Sequence, residues 1–441
     1  MSKFTDSLEE KLMPIAGKIS ENRYLTSIRD GFMLAVPLIT IGAVFLLLAF
    51  LPIPGYSDFM AKAFGPNWNT FFMRPFEATM SIMSIFVVFG IAYSLAGHYK
   101  IDGLNTAATA LVAFLIFTPF IVNYTPEGAK KAIQVSGGIP VDWMGSKGLF
   151  VGILTAILSV EIVRFVIKRG WVIKMPKGVP PAVERAFSAL IPAAIVAIII
   201  DVIRMLFAMT SYGTIHQFIY TVLQIPLTRL GDTLPATLIA NFFEGLFWSF
   251  GIHGANVVGS VMGPIWLALA AENLQAFQAG HPVPHIITQQ FHDMYMLVGG
   301  SGSTLGLVLA MLFFSKSRQV KTVGKLAIVP GLFNINEPVI FGLPIVLNPI
   351  MVIPFILTPM ILATLTYIVM SIGLVGHPTG VVIPWTTPPI IGGLLVSGFS
   401  GAVWQIIELV ISFFIYLPFL RVVDRQYLEQ EQAMAVESQK G

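Results

Sequence analysis

FSALIPAAIVAIIIDVIRMLFAM, residues 187–209, is an almost uninterrupted apolar run of the length that decides the fold class of this chain. A helix needs about 20 predominantly apolar residues to cross about 30 Å of hydrocarbon. The run therefore predicts a membrane-spanning helix. Its two charged residues, Asp201 and Arg204, lie three apart on one helical face, and we expect them to neutralise each other, as we do for Glu161 and Arg164.

Nine further apolar runs follow the same pattern along the chain. They are Leu34–Leu51, Met80–Ala96, Thr106–Val122, Leu149–Ile167, Leu234–Ile252, Val257–Ala271, Met294–Phe314, Ile350–Ile372 and Leu394–Leu420. Val257–Ala271 is short and has a re-entrant hairpin as its alternative. Only 11% of residues are charged and the mean hydropathy is +0.80, whereas soluble proteins have about 25% charged residues. We predict an all-α polytopic integral membrane protein with about ten transmembrane helices, re-entrant hairpins and amphipathic surface helices.

Basic residues indicate the orientation of the chain. One cluster lies within 164–185 and another within 316–325, whereas residues 272–293 contain no Lys or Arg. The positive-inside rule assigns the first two segments to the cytoplasm and 272–293 to an outside loop. An even number of spans then places both termini in the cytoplasm. Apolar residues at helical spacing within 4–19 predict an amphipathic helix on the cytoplasmic membrane surface.

The spans divide into two blocks of different character. We predict an N-terminal membrane domain of five spans at 1–209, an amphipathic linker at 210–232, a C-terminal membrane domain at 233–425 and an unstructured polar tail at 426–441. Helix-breaking stretches are confined to the second block: GIHGAN (251–256), LVGGSGSTLG (297–306), NINEP (334–338) and GHPTGVVIPWTTPPIIGG (376–393). Irregular backbone at membrane depth survives where protein or a water-filled cavity satisfies it, and transporters build substrate sites from such breaks.

Glu337 is the first candidate site residue. A carboxylate in apolar surroundings is costly unless it is paired or faces water, so it indicates function. Asn334, Asn336 and Pro338 make its surroundings a re-entrant polar tip. The alternative is a structural carboxylate that caps backbone amides exposed by the break.

His253 and two tryptophans are further candidates. His253 lies between Gly251 and Gly254, where the backbone can approach a ligand and the imidazole can bond a hydroxyl. Trp248 and Trp385 offer aromatic faces for stacking. The alternatives are a satisfied core histidine and tryptophans that mark the membrane interface.

Several chemistries are excluded by the sequence. The chain has no Cys, which excludes disulfides and thiolate chemistry of its own. The spacings of His281, His285 and His292, with Asp293, match no common metal motif, so we predict no metal site. GGSGSTLG lacks the Lys of a phosphate loop, so we predict no ATP hydrolysis and no cofactor.

GIHG (251–254) and NINEPVIFGLP (334–344) resemble motifs of the membrane subunit, enzyme IIC, of the bacterial sugar phosphotransferase system, in its lactose/cellobiose/N,N′-diacetylchitobiose family. The resemblance covers essentially the whole chain. It implies a homodimer in the bacterial cytoplasmic membrane that takes up a disaccharide, with diacetylchitobiose first and cellobiose second. A separate enzyme IIB, supplied by IIA, HPr and enzyme I, would phosphorylate the 6-hydroxyl from a phosphocysteine.

The resemblance also implies roles for individual residues. Glu337 and His253 would act at the 6-hydroxyl, and Trp248, Gly300 and Trp385 would match the remaining pocket. The polar tip itself adds Asn334 and Asn336 as candidate substrate-binding residues. Translocation would follow from rigid-body motion of the second domain. Two alternatives use the same site: an ion- or proton-coupled secondary sugar transporter, and a membrane-embedded transferase or receptor that moves no solute.

Overall fold

The structure, a computed structural model, describes residues 22–50, 55–126, 131–176, 178–343, 345–346 and 348–438. The amphipathic helix predicted within 4–19 lies outside them. The described chain forms two compact units, residues 22–229 and 230–438. Their boundary falls inside the segment 210–232. The resemblance implies that the first domain forms the dimer interface and the second binds the sugar, and both roles stay predictions.

Helices make up most of the described chain. In chain order they are α1 (Arg23–Ala49), α2 (Tyr56–Phe64), α3 (Asn69–Glu77), α4 (Met83–His98), α5 (Gly103–Phe117), α6 (Val141–Met144), α7 (Leu149–Lys168), α8 (Pro181–Ala208), α9 (Ile215–Ile219), α10 (Ile225–Gly231), α11 (Leu234–Ser249), α12 (Gly254–Gln278), α13 (Leu305–Phe314), α14 (Arg318–Leu332), α15 (Glu337–Gly342), α16 (Pro349–Ser371) and α17 (Ile391–Ser438). Short 3₁₀ turns occupy Met80–Ile82 and Ser146–Gly148, and π-helical segments occupy Tyr220–Gln224 and Phe291–Met296.

Seven helices of the described residues are long and apolar enough to cross a membrane. They are Arg23–Leu46, Asn69–His98, Ser146–Lys168, Pro181–Ala208, Gly254–Gln278, Pro349–Ser371 and Ile391–Met434, and the shorter apolar helices α5 and α13 accompany them. The prediction of an all-α membrane protein is confirmed. The short apolar run Val257–Ala271 is part of the 25-residue helix α12, which is long enough to cross a membrane.

Helices of the first unit pack closely, and two of them carry ion pairs within the helix. Helix α1 packs on α4, and a Cβ on Gly90 would lie 2.8 Å from the Gly31 Cα, so the two backbones touch at glycine. Arg164 bonds Glu161 at 2.7 Å, and Arg204 bonds Asp201 at 2.7 Å. The predicted neutralisation of both pairs is confirmed.

Two predicted spans are interrupted. Helix α5 ends at Phe117 because Pro119 drives Thr118 into the extended conformation. Residues Ile121–Tyr124 and Ile133–Ser136 then form an antiparallel hairpin, β1 and β2, with Ile121 opposite Ser136. Between the π-helical segment Phe291–Met296 and α13, the glycine-rich stretch adopts positive φ at several residues and forms a loop.

One apolar cluster forms the core of the second unit. It contains Trp248 of α11, Met311 of α13, Phe355 of α16 and Tyr416 of α17, together with Val339 of α15. The short helix after the NINEP break is therefore anchored on its apolar face. The exposed Glu337 lies two residues before the buried Val339.

Two expectations about polar segments are wrong. Helix α17 continues to Ser438, so residues 426–438 are helical and not an unstructured tail. Residues 272–278 complete α12, and 291–296 are π-helical with His292 buried, so only 279–290 connect elements as a loop. In both places some of the polar residues bond partners distant in sequence, as Glu431 does with Ser317 and His292 does with Glu244.

Candidate functional site

Asn334 joins three segments of the second unit. Its side-chain oxygen accepts a hydrogen bond from the Gly299 amide at 2.8 Å. Its amide nitrogen donates to the carbonyls of Trp385, at 2.6 Å, and Thr387, at 3.0 Å. The backbone of Asn334 has φ of 60°, a conformation that Asn tolerates better than most residues. Asn334 thus fixes the NINEP break against both the 297–304 loop and the 385–387 turn.

Asn336 and Gly300 complete this frame. The Asn336 amide nitrogen donates to the Ser301 carbonyl at 2.5 Å and to the Thr304 hydroxyl at 3.0 Å. A Cβ on Gly300 would lie 2.6 Å from the Asn334 carbonyl oxygen. The predicted site residues Asn334, Asn336 and Gly300 are therefore buried and bonded to protein, and the geometry gives them a supporting position.

Glu337 is placed differently from its neighbours. It is the first residue of α15 and is exposed. Among the described residues, no hydrogen bond or ion pair to its carboxylate is found, so the alternative of a carboxylate that caps the broken helix has no support. A carboxylate at a helix N-terminus is favoured by the helix dipole, and this one keeps its oxygens available as acceptors.

His253 caps the N-terminus of α12 and is exposed. Its Nδ1 accepts a hydrogen bond from the Asn256 amide at 3.3 Å. In a neutral imidazole this bond leaves the proton on Nε2, which makes Nε2 a donor. The His253 ring lies 4.3 Å from the Trp248 ring, centroid to centroid.

The two predicted tryptophans have contrasting surroundings. Trp248 is buried in the apolar cluster that also holds Val339, and its Nε1 has no hydrogen-bond partner among the described residues. Trp385 is 46% exposed, and its carbonyl is held by Asn334. Trp385 thus offers an exposed aromatic ring, whereas the buried Trp248 ring packs against the His253 ring.

Sequence reasoning missed a buried polar network beside the 297–304 loop. Glu244 Oε1 accepts a hydrogen bond from the Ser301 hydroxyl at 2.9 Å. Glu244 Oε2 lies 3.0 Å from His292 Nε2, and His292 Nδ1 lies 2.9 Å from Asp293 Oδ1. The signal was available, because Glu244 is a carboxylate inside the predicted span Leu234–Ile252.

The histidines that the sequence places in one loop do not converge. His285 lies 2.8 Å from both Asp232 and Glu272, whereas His292 bonds Glu244 and Asp293. Burial alone would lower the pKa of His285, but its hydrogen bonds to the two carboxylates outweigh burial and raise the pKa to about 9. His285 is therefore an ion-pair residue that fastens the loop to α12.

Glu337 and Trp385 lie on or beside segments that hydrogen bonds connect, namely 299–304, 334–336 and 385–387. The His253 ring contacts Trp248 in the core of the same unit. The exposed groups are Glu337, His253 and Trp385. A hydrogen-bond acceptor, a donor and an aromatic face are the groups that recognise a hydroxylated ring.

Comparison with known proteins identifies the family of the chain. Residues 29–359 match the family described as Phosphotransferase system, EIIC. The chain is 50% identical over 437 residues to the PTS system cellobiose-specific EIIC component of Geobacillus stearothermophilus, covering 98% of this chain and 97% of that protein. It is 49% identical over 433 residues to the Lichenan permease IIC component of Bacillus subtilis (strain 168), covering 98% and 96%.

A solved structure is similar over nearly the whole length. The crystal structure of the transporter ChbC, the IIC component from the N,N′-diacetylchitobiose-specific phosphotransferase system, matches with a TM-score of 0.93 at 49% identity, covering 96% of this chain and 99% of that chain. The three relatives carry the names of three different sugars at almost equal identity. Identity alone therefore does not select the sugar.

Proposed function

The chain belongs to the EIIC family of the phosphotransferase system, and from this premise we propose that it binds an extracellular disaccharide, carries it across the membrane and presents its 6-hydroxyl for phosphorylation. N,N′-diacetylchitobiose is the first candidate and cellobiose the second. The protein acts in the bacterial cytoplasmic membrane, with both termini inside. The observation that carries the proposal is the exposed Glu337, to whose carboxylate no hydrogen bond is found among the described residues, next to Asn334 and Asn336, whose side chains are bonded to protein.

Glu337 and His253 act on the 6-hydroxyl of the sugar. The hydroxyl donates a hydrogen bond to the Glu337 carboxylate, and His253 orients it. As the sugar oxygen forms its bond to phosphorus, Glu337 takes the hydroxyl proton. The bond between phosphorus and the donor's cysteine sulfur breaks, and that sulfur leaves as a thiolate. Trp385 provides the face on which the sugar ring stacks.

The donor is a second polypeptide. This chain has no Cys, so a phosphocysteine must come from a separate enzyme IIB, recharged through IIA, HPr and enzyme I. The basic segments 164–185 and 316–325 suit an acidic, phosphorylated partner that approaches from the cytoplasm. The functional form is a homodimer, and the mechanism uses no metal or cofactor.

Translocation follows from movement of the second unit as a rigid body relative to the first. Since the chain lacks Cys, a cysteine pair with one member in each unit can be introduced and oxidised without side reactions. Uptake that continues unimpaired after such cross-linking would rule out this movement.

The substitution Glu337→Gln tests the chemical role. It keeps the side-chain shape but removes the base, and we expect phosphorylation-coupled uptake to fall by at least about 100-fold, while some sugar binding remains. The measurement is the rate of sugar-phosphate formation in vesicles supplied with phosphorylated IIB, beside sugar binding to the purified protein in detergent. Asp58→Asn is the matched control, because Asp58 is an exposed carboxylate in the first unit and lies outside both basic segments.

Other outcomes separate the alternatives. Wild-type rates in Glu337→Gln would refute the assigned role. Free sugar that accumulates with the proton gradient, without phosphoenolpyruvate, would identify a secondary transporter instead. Titration of the purified wild-type protein with diacetylchitobiose and cellobiose decides between the two sugars, because the tighter ligand is the expected substrate.

A further inference from the structure

The proposed mechanism leaves one buried polar network unused. Glu244 is only 2% exposed, and both of its oxygens are engaged, one by Ser301 and one by His292. His292 is itself buried, bonds Asp293 and stacks on Trp266 with ring centroids 4.6 Å apart. A buried carboxylate is costly without such partners. Both carboxylate oxygens of Glu244 therefore have protein partners, and Glu244 is too buried to contact a sugar.

The outer end of the network leads to the candidate site. Ser301, which donates to Glu244 through its hydroxyl, accepts a hydrogen bond from the Asn336 amide through its carbonyl. Asn336 directly precedes Glu337 in the chain. Glu244 is thus linked to Glu337 through two intermediate residues. One hydrogen bond joins Glu244 to Ser301, a second joins Ser301 to Asn336, and a peptide bond joins Asn336 to Glu337. Ser301 also follows Gly300, at the point where the loop touches the backbone of Asn334.

The backbone of Glu337 is held on both sides. On the C-terminal side, the helix α15 is anchored by the buried Val339. On the N-terminal side, Asn336 forms no side-chain cap on the helix and donates its amide to Ser301 and Thr304. Ser301 is therefore one of the contacts that set the position of Glu337 relative to a reacting hydroxyl. A catalytic group must be held within about 0.5 Å of the productive geometry.

We propose that Glu244 is a positioning residue for Glu337, acting through Ser301 and Asn336. This inference rests on the proposed function. Glu244 anchors the Ser301 hydroxyl, the fixed loop holds the Asn336 amide, and the Glu337 carboxylate is thereby kept in the orientation that accepts the proton of the sugar. His292 and Asp293 hold Glu244 in turn.

The substitution Ser301→Ala tests the link by removing one hydroxyl. A misplaced catalytic group loses rate, so we expect turnover of sugar-phosphate formation to fall about 10-fold. The Kd of the sugar should change less than about 3-fold, because the altered groups do not contact it. Glu244→Gln, which keeps the size of the side chain, should show the same separation of turnover from binding. Rates are normalised to folded protein by the thermal transition in detergent.

Ser260→Ala is the matched control. Ser260 is also buried in the second unit, and its hydroxyl donates to the Val257 carbonyl at 2.7 Å, outside the network. We expect its turnover to match the wild type. In a Glu337→Gln background, Ser301→Ala should add almost no further loss, because a positioning effect disappears with the group that is positioned.

Three results would overturn the inference. They are turnover in Ser301→Ala equal to that of Ser260→Ala, a rise in sugar Kd as large as the fall in turnover, and a full additional loss in the Glu337→Gln background. If Glu244→Gln fails to fold, Ser301→Ala decides alone. A wild-type protein that forms no sugar phosphate with phosphorylated IIB would instead refute the proposed function itself.

Discussion

Gly300 is a single residue on which the backbone arrangement of the site depends. Its φ of 91° lies in the region that favours glycine, and a Cβ would meet the Asn334 carbonyl oxygen at 2.6 Å and the Asn336 side chain. Conformation and space therefore both require glycine here. The close approach allows the 297–304 loop to bond the NINEP break.

The substitution Gly300→Ala should destabilise the protein by about 3 kcal/mol, since the strain and the clash add. Gly280→Ala separates the two causes, because Gly280 also has positive φ, 69°, but has open space where a Cβ would stand. That control should cost only about 1 kcal/mol. Thermal denaturation in detergent measures both. Equal losses in the two variants would show that the close approach is energetically unimportant.

The candidate residues differ in how readily the sequence alone identifies them. Glu337 and His253 stand out because a charged residue beside Pro, or a His between glycines, is rare in apolar sequence. Glu244 is likewise a charged residue in an apolar segment, the helix α11, but the sequence gives no indication of its partners. Its partners Ser301 and His292 lie 57 and 48 positions away, so no local pattern connects them. The assigned roles in binding and catalysis stay predictions.

At the scale of the elements, the end of α17 fastens the start of α14. Asp424 accepts hydrogen bonds from the backbone amides of Lys316 and Ser317, at 2.8 and 3.0 Å. Glu431 accepts from the Ser317 hydroxyl at 2.7 Å and from the Gln319 amide at 2.8 Å. Amides before and within a first helical turn lack intrahelical partners, so these carboxylates act as distant caps. This pairing explains why the polar C-terminal residues are helical.

The substitution Asp424→Ala should lower the free energy of unfolding by about 1–2 kcal/mol, as the loss of a helix cap does. Hydrogen exchange should accelerate at residues 316–320. Glu429→Ala is the control, because within the described residues the ion pair found for Glu429 is an exposed one with Arg425, and such pairs contribute little. Unchanged exchange in Asp424→Ala would mean that the two helices are joined by other contacts.

At the scale of the whole molecule, orientation rests on the distribution of basic residues. The segment 316–325 is rich in Lys and Arg, while 279–290 has neither. We expect the first to face the cytoplasm and the second to face outside. The absence of Cys makes each introduced cysteine a unique reporter of the side on which it lies.

The prediction uses two exposed positions, Lys321→Cys and His281→Cys. A membrane-impermeant thiol reagent should label His281→Cys in intact cells and Lys321→Cys only in inverted vesicles. Both variants should retain sugar binding in detergent, which shows that labelling reports the natively folded protein. The reverse pattern would invert the assigned topology and place the basic segments away from a cytoplasmic IIB.

The sequence by itself determined the membrane class, the position of most apolar helices, the breaks in the second half and the family. These are local properties, because hydropathy over about 20 residues and the conformations of Gly and Pro act within one segment. The tertiary structure alone decided which breaks are bonded to each other, why Asn334 and Asn336 support Glu337, and that Glu244 and Asp424 are structural partners. Those contacts join residues 35 to 108 positions apart, and their free energy exists only once the helices have packed.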